Sequence, residues 1–250
     1  MIPSPIRKVL SSMQKNGVQS LLMGGQACVI YGGAEFSRDT DLGLLSDLDN
    51  LSKFQQAIAE LRAERIAGPP FGKSFLDAGL AVHFRCRHPE ASGLRIDVMA
   101  KMRGLDRFEV LWQRRTTRVL DSELTIDLLS LPDLVQSKKT QRDKDWPMLR
   151  RLVEADYFST PLGEATEAKV RFWLRELRTP GLLIQVAQEH WRVAENLLEV
   201  RPLIQAAIAG EIPALERALQ QEMEREIMLD REYWAPLRRQ LEELRRSIRS

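Results

Sequence analysis

All strand-like patterns in this 250-residue chain lie before residue 129, and beyond the segment 157–163 the chain is wholly helical in pattern. Short apolar or alternating runs typical of strands cover residues 18–23, 40–45, 80–87, 94–99, 117–120 and 124–128. The sequence therefore predicts an α+β fold, in which a mixed β-sheet is flanked by helices and followed by an all-helical C-terminal part.

Helices are predicted around and after these strands from capping residues and apolar stripes. Ser4, followed by Pro5, is the expected cap of the first helix, and Asn50 is the expected cap of the helix that carries Leu51 and Phe54. Others are predicted at 26–31, 131–140, 146–155, 164–177, 181–199, 201–209, 212–228 and 230–249. We place a domain boundary after residue 157, giving an N-terminal domain at 1–157 and a helical C-terminal domain at 158–250.

The charge balance limits the classes of partner. Lys and Arg number 37 against 35 Asp and Glu, a net charge of +2, so the chain is not a polycation that coats nucleic acid or an anionic membrane. No apolar run approaches the roughly 18 residues of a membrane span, and the first residues lack the apolar centre of a signal peptide. We expect a cytoplasmic protein with no membrane partner.

A glycine pair joins the first predicted strand to a short helix. Gly24 and Gly25 carry no side chains, so the backbone there can approach a phosphate closely and helix N–H groups can point at it. The stretch matches neither GxGxxG nor a P-loop. Two glycines in a tight turn of purely structural importance are the alternative.

Two aspartates stand on the second predicted strand. Asp39 and Asp41 are two residues apart, so they share a face of the strand about 6.5 Å apart. Carboxylates so close repel each other, and a divalent metal removes the conflict. Mg²⁺ prefers carboxylate oxygens together with water and phosphates. The alternative is a pair of surface aspartates, one of them paired with Arg38.

A third acid lies in the middle of a later strand. Asp97 stands between Ile96 and Val98, where an acid is disfavoured unless it has a partner. Arg95 is on the same face and could form a plain salt bridge with it. Three strand acids around a glycine turn also suit a two-metal site for phosphoryl transfer. His83, on the strand before, is either a substrate contact or an ordinary strand histidine.

The spacing of these residues resembles a known signature. Gly24-Gly25, thirteen residues, then Asp39-x-Asp41 is similar to the hG[G/S]-x(9–13)-DxD pattern of the nucleotidyltransferase fold, the DNA polymerase β-like superfamily. Asp97 fits the third carboxylate of that family. Residues 128–149 resemble the helices that follow the core in bacterial minimal and AbiEii-like toxin members. The resemblance covers roughly residues 18–155.

The resemblance implies a Mg²⁺-dependent nucleotidyltransferase that moves NMP from an NTP to an acceptor hydroxyl or phosphate and releases pyrophosphate. Asp39, Asp41 and Asp97 would be the catalytic residues and the ligands of two Mg²⁺ ions, with Asp97 also a base for the acceptor. Gly24 and Gly25 would cradle the nucleotide phosphates. A toxin or phage-defence role, with RNA, a protein or a small molecule as acceptor, agrees with the AbiEii-like features.

Three departures from the family pattern leave other functions open. Gly25 stands where many relatives have Ser, Thr40 occupies a position that is usually apolar, and Gly43 interrupts the strand. One alternative is a catalytically inactive nucleotidyltransferase-like protein that binds or regulates. Another is a metal-dependent phosphodiesterase that uses the same acids.

Basic residues are concentrated in two segments. Residues 101–118 and 138–151 each hold six basic residues against two acids, a charge of +4 per segment. Such cations could hold a triphosphate or an RNA backbone, or could simply form a solvated helix face. The expected nucleotide-binding side chains are Arg38, Lys138, Lys139 and Arg142, whereas Asp145 is expected to orient nearby cations.

An apolar stripe near the C-terminus could pack inside the protein or against a partner. It comprises Leu237, Leu241, Leu244 and Ile248. A homodimer, or an antitoxin partner bound through the C-terminal helices, is the expected use of this surface if it is not covered by the protein itself.

Overall fold

The computed structural model describes residues 3–122, 124–161 and 163–249, without the side chains of residues 248 and 249. Ile248 of the apolar stripe therefore lies outside the described side chains. The chain forms two compact units, here called unit 1 (Met1–Ile30, Ala34–Ser137 and Glu232–Ser250) and unit 2 (Tyr31–Gly33 and Lys138–Arg231). These units divide the chain after Ser137 rather than after residue 157, and the domain boundary at 157 stays a prediction.

The described residues of unit 1 contain a seven-stranded mixed sheet. Its strands are β1 (Ser20–Met23), β2 (Asp39–Leu44), β3 (Glu64–Ala67), β4 (Val82–Arg85), β5 (Arg95–Met99), β6 (Thr116–Val119) and β7 (Thr125–Leu128). Their order is β3-β4-β5-β2-β1-β7-β6. Strand β2 runs parallel to β5, and β1 runs parallel to β7, whereas the other neighbouring pairs are antiparallel. The predicted α+β class is confirmed.

Helices surround the sheet and fill unit 2. Unit 1 contains α1 (Ser4–Lys15), α2 (Gly24–Ile30), α3 (Leu48–Glu60), α4 (Lys73–Asp77), α5 (Phe108–Gln113) and α6 (Leu131–Ser137). Unit 2 contains α7 (Asp145–Ser159), α8 (Glu167–Glu176), α9 (Pro180–Glu189), α10 (Trp191–Glu195) and α11 (Ile204–Ala209). Helix α12 (Ile212–Arg249) begins in unit 2, and its residues from Glu232 belong to unit 1. No helix among the described residues is both long and apolar enough to span a membrane.

Several predicted helix ends are wrong. The last two predicted helices are one, α12, because neither Gly nor Pro lies at residues 228–230 to interrupt it. The helix predicted over 181–199 breaks at His190, where the backbone leaves the helical region. The first helix is capped by Pro3 rather than Ser4, which is already its first residue.

Asn50 is a buried residue that hydrogen-bonds to two other chain segments, and it is not the predicted helix cap. The cap of α3 is Asp47, whose side chain accepts a hydrogen bond from the Asn50 N–H at 2.7 Å. The Asn50 amide donates to the carbonyl oxygens of Gln19 and Leu45 and accepts the N–H of Gln19. Asn50 therefore links the chain before β1 to the chain after β2.

The sheet presents two chemically different faces. Leu22, Leu42, Val98 and Val82 are paired across β1, β2, β5 and β4 and form a fully buried row on one face. Helix α3 packs in this core, where the Phe54 ring lies 5.7 Å from that of Phe84. Since successive side chains of a strand alternate in direction, the residues between these apolar positions lie on the opposite face.

A buried arginine holds elements of unit 2 together. Arg201 donates to both carboxylate oxygens of Glu222 on α12, at 3.0 and 2.8 Å. It also donates to the carbonyl oxygens of Leu174 and Leu177 at the end of α8. These bonds satisfy carbonyls left without partners at the end of a helix, so Arg201 fixes α8 to α12 within unit 2.

Candidate active site

The glycine pair begins a helix and touches an acid of the neighbouring strand. Gly24 is the first residue of α2 and has a positive φ of 63°. A Cβ on Gly24 would lie 1.9 Å from Oδ2 of Asp41, so only glycine fits there while that carboxylate keeps its place. The N–H of Gly25 donates to the same oxygen at 3.3 Å. The glycine turn therefore holds the Asp41 carboxylate in place. The predicted role of Gly24 and Gly25 in binding phosphate stays a prediction.

The strand register brings the three predicted acids to one face. Asp41 on β2 lies directly opposite Asp97 on the parallel strand β5, and Asp39 lies opposite Arg95. Neighbouring strands are about 4.8 Å apart. All four side chains lie on the face opposite the apolar row, where they are half-buried. The sheet thus places Asp39, Asp41 and Asp97 on one face, while their roles as catalytic residues and metal ligands stay predictions.

Asp97 already has two partners. Its Oδ1 accepts a hydrogen bond from Nε of Arg95 at 2.6 Å and lies 2.8 Å from Nδ1 of His83. His83 is directly opposite Asp97 on the antiparallel strand β4. The salt bridge between Arg95 and Asp97 that the sequence left open is therefore present, and His83 serves Asp97 as well.

These contacts set the charge state of the site. Burial raises the pKa of Asp97, but the hydrogen bonds and charges of His83 and Arg95 outweigh it, so the pKa lies below its usual value. The hydrogen bond to Asp97 raises the pKa of Arg95 against the effect of burial, and the charges of Asp39 and Asp41 add to the increase. Asp97 is consequently ionised and Arg95 protonated at neutral pH.

Because the pKa of Asp97 is lowered on folding, this carboxylate stabilises the protein above its unfolded pKa, near 3.8. The contribution is lost as the pH falls from that value through the folded pKa. We expect the wild-type free energy of unfolding, measured by urea titration, to fall more steeply below about pH 4 than that of Asp97→Asn. Parallel curves for the two proteins would contradict the assigned ion pair.

The three acids have the donor atoms that a hard cation binds, but their side chains are not arranged around a common position. Carboxylate oxygens are the donors that Mg²⁺ prefers. Within the described part of the chain, however, no group of three His, Cys, Asp or Glu side chains is arranged to hold a metal ion. Oδ1 of Asp97 is engaged by Arg95 and His83 instead. Asp39, Asp41 and Asp97 carry the donor atoms that the cation prefers, and their binding of Mg²⁺ stays a prediction.

The predicted nucleotide-binding cations fall into two groups. Arg38 immediately precedes Asp39 in unit 1, and its guanidinium carbon lies 5.8 Å from the centre of the exposed Phe36 ring. Lys138, Lys139 and Arg142 belong to unit 2. Only Arg38 among them shares a unit with the three acids.

The three cations of unit 2 are engaged by carboxylates of that unit. Nζ of the buried Lys138 lies 3.6 Å from Asp145, and Nε of Arg142 donates to Asp145 at 2.8 Å. Lys139 contacts both carboxylate oxygens of Glu176, at 3.0 and 2.9 Å. Asp145 thus orients nearby cations, as predicted, while the contact of these cations with a nucleotide stays a prediction.

Sequence reasoning missed the contact between His83 and Asp97, although a signal was present. The predicted hairpin has its turn near residue 90, and a symmetric pairing about that turn places residue 83 opposite residue 97. The identity of Oδ1 as the shared acceptor depends on rotamers, which a pairing rule does not supply.

Comparisons with known proteins add no further information about this site. No protein-family profile matches the chain, and a search of curated proteins finds no significant match. The functional assignment therefore depends on the residues and the geometry described above.

Proposed function

We propose that this protein is a Mg²⁺-dependent nucleotidyltransferase that transfers NMP from an NTP to an acceptor hydroxyl or phosphate. The observation that carries the proposal is the placement of Asp41 directly opposite Asp97, with Asp39 on the same face. The tight contact of Asp41 with Gly24 adds support, because it explains why a glycine belongs at the end of β1. Both features agree with the signature that the sequence resembles.

The acids would act mainly through charge and position. Asp39, Asp41 and Asp97 would hold Mg²⁺, which when bound would neutralise phosphate charge and activate the acceptor oxygen. Since its pKa is lowered, Asp97 is a poor proton acceptor, and its role is better described as a fixed negative charge. The acceptor oxygen would attack the α-phosphate, its proton would pass to solvent water, and pyrophosphate would leave. Most of the rate enhancement would come from alignment and preorganised charge.

An inactive nucleotidyltransferase-like protein that binds or regulates is the second candidate. Arg95 and His83 occupy the carboxylate that a metal would need. Thr40 is fully buried among apolar residues, and its Oγ1 finds no hydrogen-bond partner in the described part of the chain. A buried hydroxyl without a partner costs stability. The engagement of Asp97 by Arg95 and His83 is the observation that favours a binding function in which catalysis has been lost.

The acceptor and the partners are proposed from the basic segments and the apolar stripe. RNA is the acceptor favoured by the two basic segments, although several of their cations are paired with carboxylates. A homodimer or an antitoxin bound through the C-terminal helices remains the proposed use of the apolar stripe. Leu237 of that stripe is buried within unit 1, close to Gly79. An external partner would therefore use Leu241 and Leu244.

A labelling experiment tests the proposed reaction. Purified protein is incubated with each α-labelled NTP, Mg²⁺ and either cellular RNA, cellular protein or small metabolites. We expect one fraction to gain label with release of one pyrophosphate per transfer. Hydrolysis of a phosphodiester without transfer would instead identify a phosphodiesterase. Absence of label, together with no thermal shift by Mg²⁺ and NTP in wild type or Asp39→Ala, would favour the inactive candidate.

A further inference from the structure

We infer that Arg95 is the resident counter-ion of the three carboxylates, and that it gives up Asp97 to a divalent cation and turns to the substrate's triphosphate. The inference rests on the proposed function and adds a positioning residue to it. It predicts that cation and nucleotide bind with positive cooperativity.

The first support is the charge on this face of the sheet. Asp39, Asp41 and Asp97 place three negative charges on two neighbouring strands, and Arg95 lies opposite Asp39 and beside Asp97. The fields of all three acids act on the guanidinium. Arg95 therefore offsets part of the repulsion among the acids. An arriving divalent cation would supply the same compensation, so it competes with Arg95 for Oδ1 of Asp97.

The second support is a conflict between the two partners of Asp97. Nδ1 of His83 lies 2.8 Å from Oδ1 of Asp97 and also 3.0 Å from an Nη2 donor of Arg95. If Nδ1 carries a proton, it donates to Asp97 but faces the Arg95 donor. If Nδ1 carries none, it accepts from Arg95 but faces the lone pairs of Oδ1. One contact is unfavourable in either tautomer, so Asp97, His83 and Arg95 cannot all be satisfied by one another at the same time.

The third support is that Arg95 can move. Its side chain is 39% exposed, whereas that of Asp97 is 15% exposed. A long side chain with an exposed end can change rotamer without disturbing the core. The planar guanidinium can then donate two parallel hydrogen bonds to phosphate oxygens, and it is better suited to this than an ammonium group. Once Arg95 leaves, the Nδ1–H tautomer of His83 keeps Asp97 in place.

The test measures Mn²⁺ binding without nucleotide, by the loss of the free-ion electron paramagnetic resonance signal. Arg95→Gln removes the counter-ion and should bind Mn²⁺ about 10-fold more tightly than wild type. Arg85→Gln is the matched control, because Arg85 is exposed and lies directly opposite Arg95 on β4. It should bind Mn²⁺ like wild type. Adding Asp39→Asn to Arg95→Gln should remove the gain, which places the ion at the carboxylates.

Nucleotide binding should change in the opposite direction. In saturating Mn²⁺, Arg95→Gln should bind a non-hydrolysable NTP about 10-fold more weakly than Arg85→Gln, measured by isothermal titration calorimetry. The Arg95→Lys variant keeps the positive charge but lacks the two parallel N–H donors of the guanidinium. Its Mn²⁺ affinity should therefore be close to wild type, while its nucleotide affinity should still fall. This variant also serves if Arg95→Gln does not fold.

Failure of the inference can be told apart from failure of the proposed function. Equal Mn²⁺ affinity in Arg95→Gln and Arg85→Gln, in a protein whose wild type transfers label, overturns the role of Arg95 alone. Absence of Mn²⁺ binding in every variant, with no transfer by wild type, overturns both. Tighter Mn²⁺ binding with unchanged nucleotide affinity overturns the movement toward the triphosphate.

Discussion

The Asp41→Asn variant is expected to lose nucleotidyl transfer by about 10³-fold or more while remaining folded. The amide has nearly the same volume as the carboxylate, and its oxygen can still accept the N–H of Gly25. The substitution removes the negative charge opposite Asp97 and turns one acceptor oxygen into an amide donor. Because that charge repels Asp97 and attracts Arg95, its two effects on stability oppose each other. The free energy of unfolding should therefore change by less than about 1 kcal/mol.

The measurement combines the label-transfer rate with urea unfolding of the same preparation. Asp49→Asn is a suitable control, because it makes the same chemical change at an exposed position on α3. It should leave the rate unchanged and lower the free energy of unfolding by no more than about 1 kcal/mol, through the lost pair with Lys53 and the lost charge in the first turn of α3. An Asp41→Asn protein that keeps the wild-type rate would remove Asp41 from the proposed mechanism, whatever its stability.

Gly24→Ala is expected to abolish transfer and to destabilise the fold. The added methyl group would lie 1.9 Å from Oδ2 of Asp41, so the carboxylate must leave its place against the turn. The positive φ of Gly24 adds a backbone cost of about 1–2 kcal/mol for any residue with a Cβ. Overpacking of this kind adds about 1–3 kcal/mol. Thermal and urea unfolding give the stability, and the labelling assay gives the rate.

The Gly17→Ala variant separates the backbone cost of a positive φ from the cost of the clash with Asp41. Gly17 has a φ of 64°, nearly the same as that of Gly24, but a Cβ built there meets no atom within 4 Å. Its substitution should therefore show the backbone cost alone and keep full transfer activity. The difference between the two variants measures the contact with Asp41. Equal destabilisation in both, with equal activity, would mean that Gly24 serves only its backbone conformation.

The alternation of side chains along a strand predicts which residues of the candidate site share a face. Asp39 and Asp41 share a face because they are two residues apart, and Asp97 joins them because β2 pairs with β5 in parallel. The salt bridge of Arg95 followed from the same rule, as one of two alternatives. The joining of Asp97 to the other two acids depends on a pairing between strands more than 50 residues apart in sequence, which local patterns do not determine.

Other parts of the fold lack a local signal. Strand β3 is an edge strand whose four residues are all exposed, so it shows no apolar alternation to detect. Helices α4 and α5 have five and six residues, too few for a helical stripe. Asn is a residue type that is common at helix N-caps, but the side-chain amide of Asn50 donates instead to the carbonyl oxygens of Gln19 and Leu45. Tertiary contacts of this kind override local preference.

The two chemically different faces of the sheet also govern where the chain can change in length. Deleting one residue inside β2 would exchange its faces, moving the carboxylates in among Leu22 and Val98 and exposing Leu42 to water. A deletion in the loop before Asp39 would leave that pairing intact. Insertions and deletions between the glycine turn and β2 are therefore tolerable, whereas the single residue between Asp39 and Asp41 is fixed by geometry.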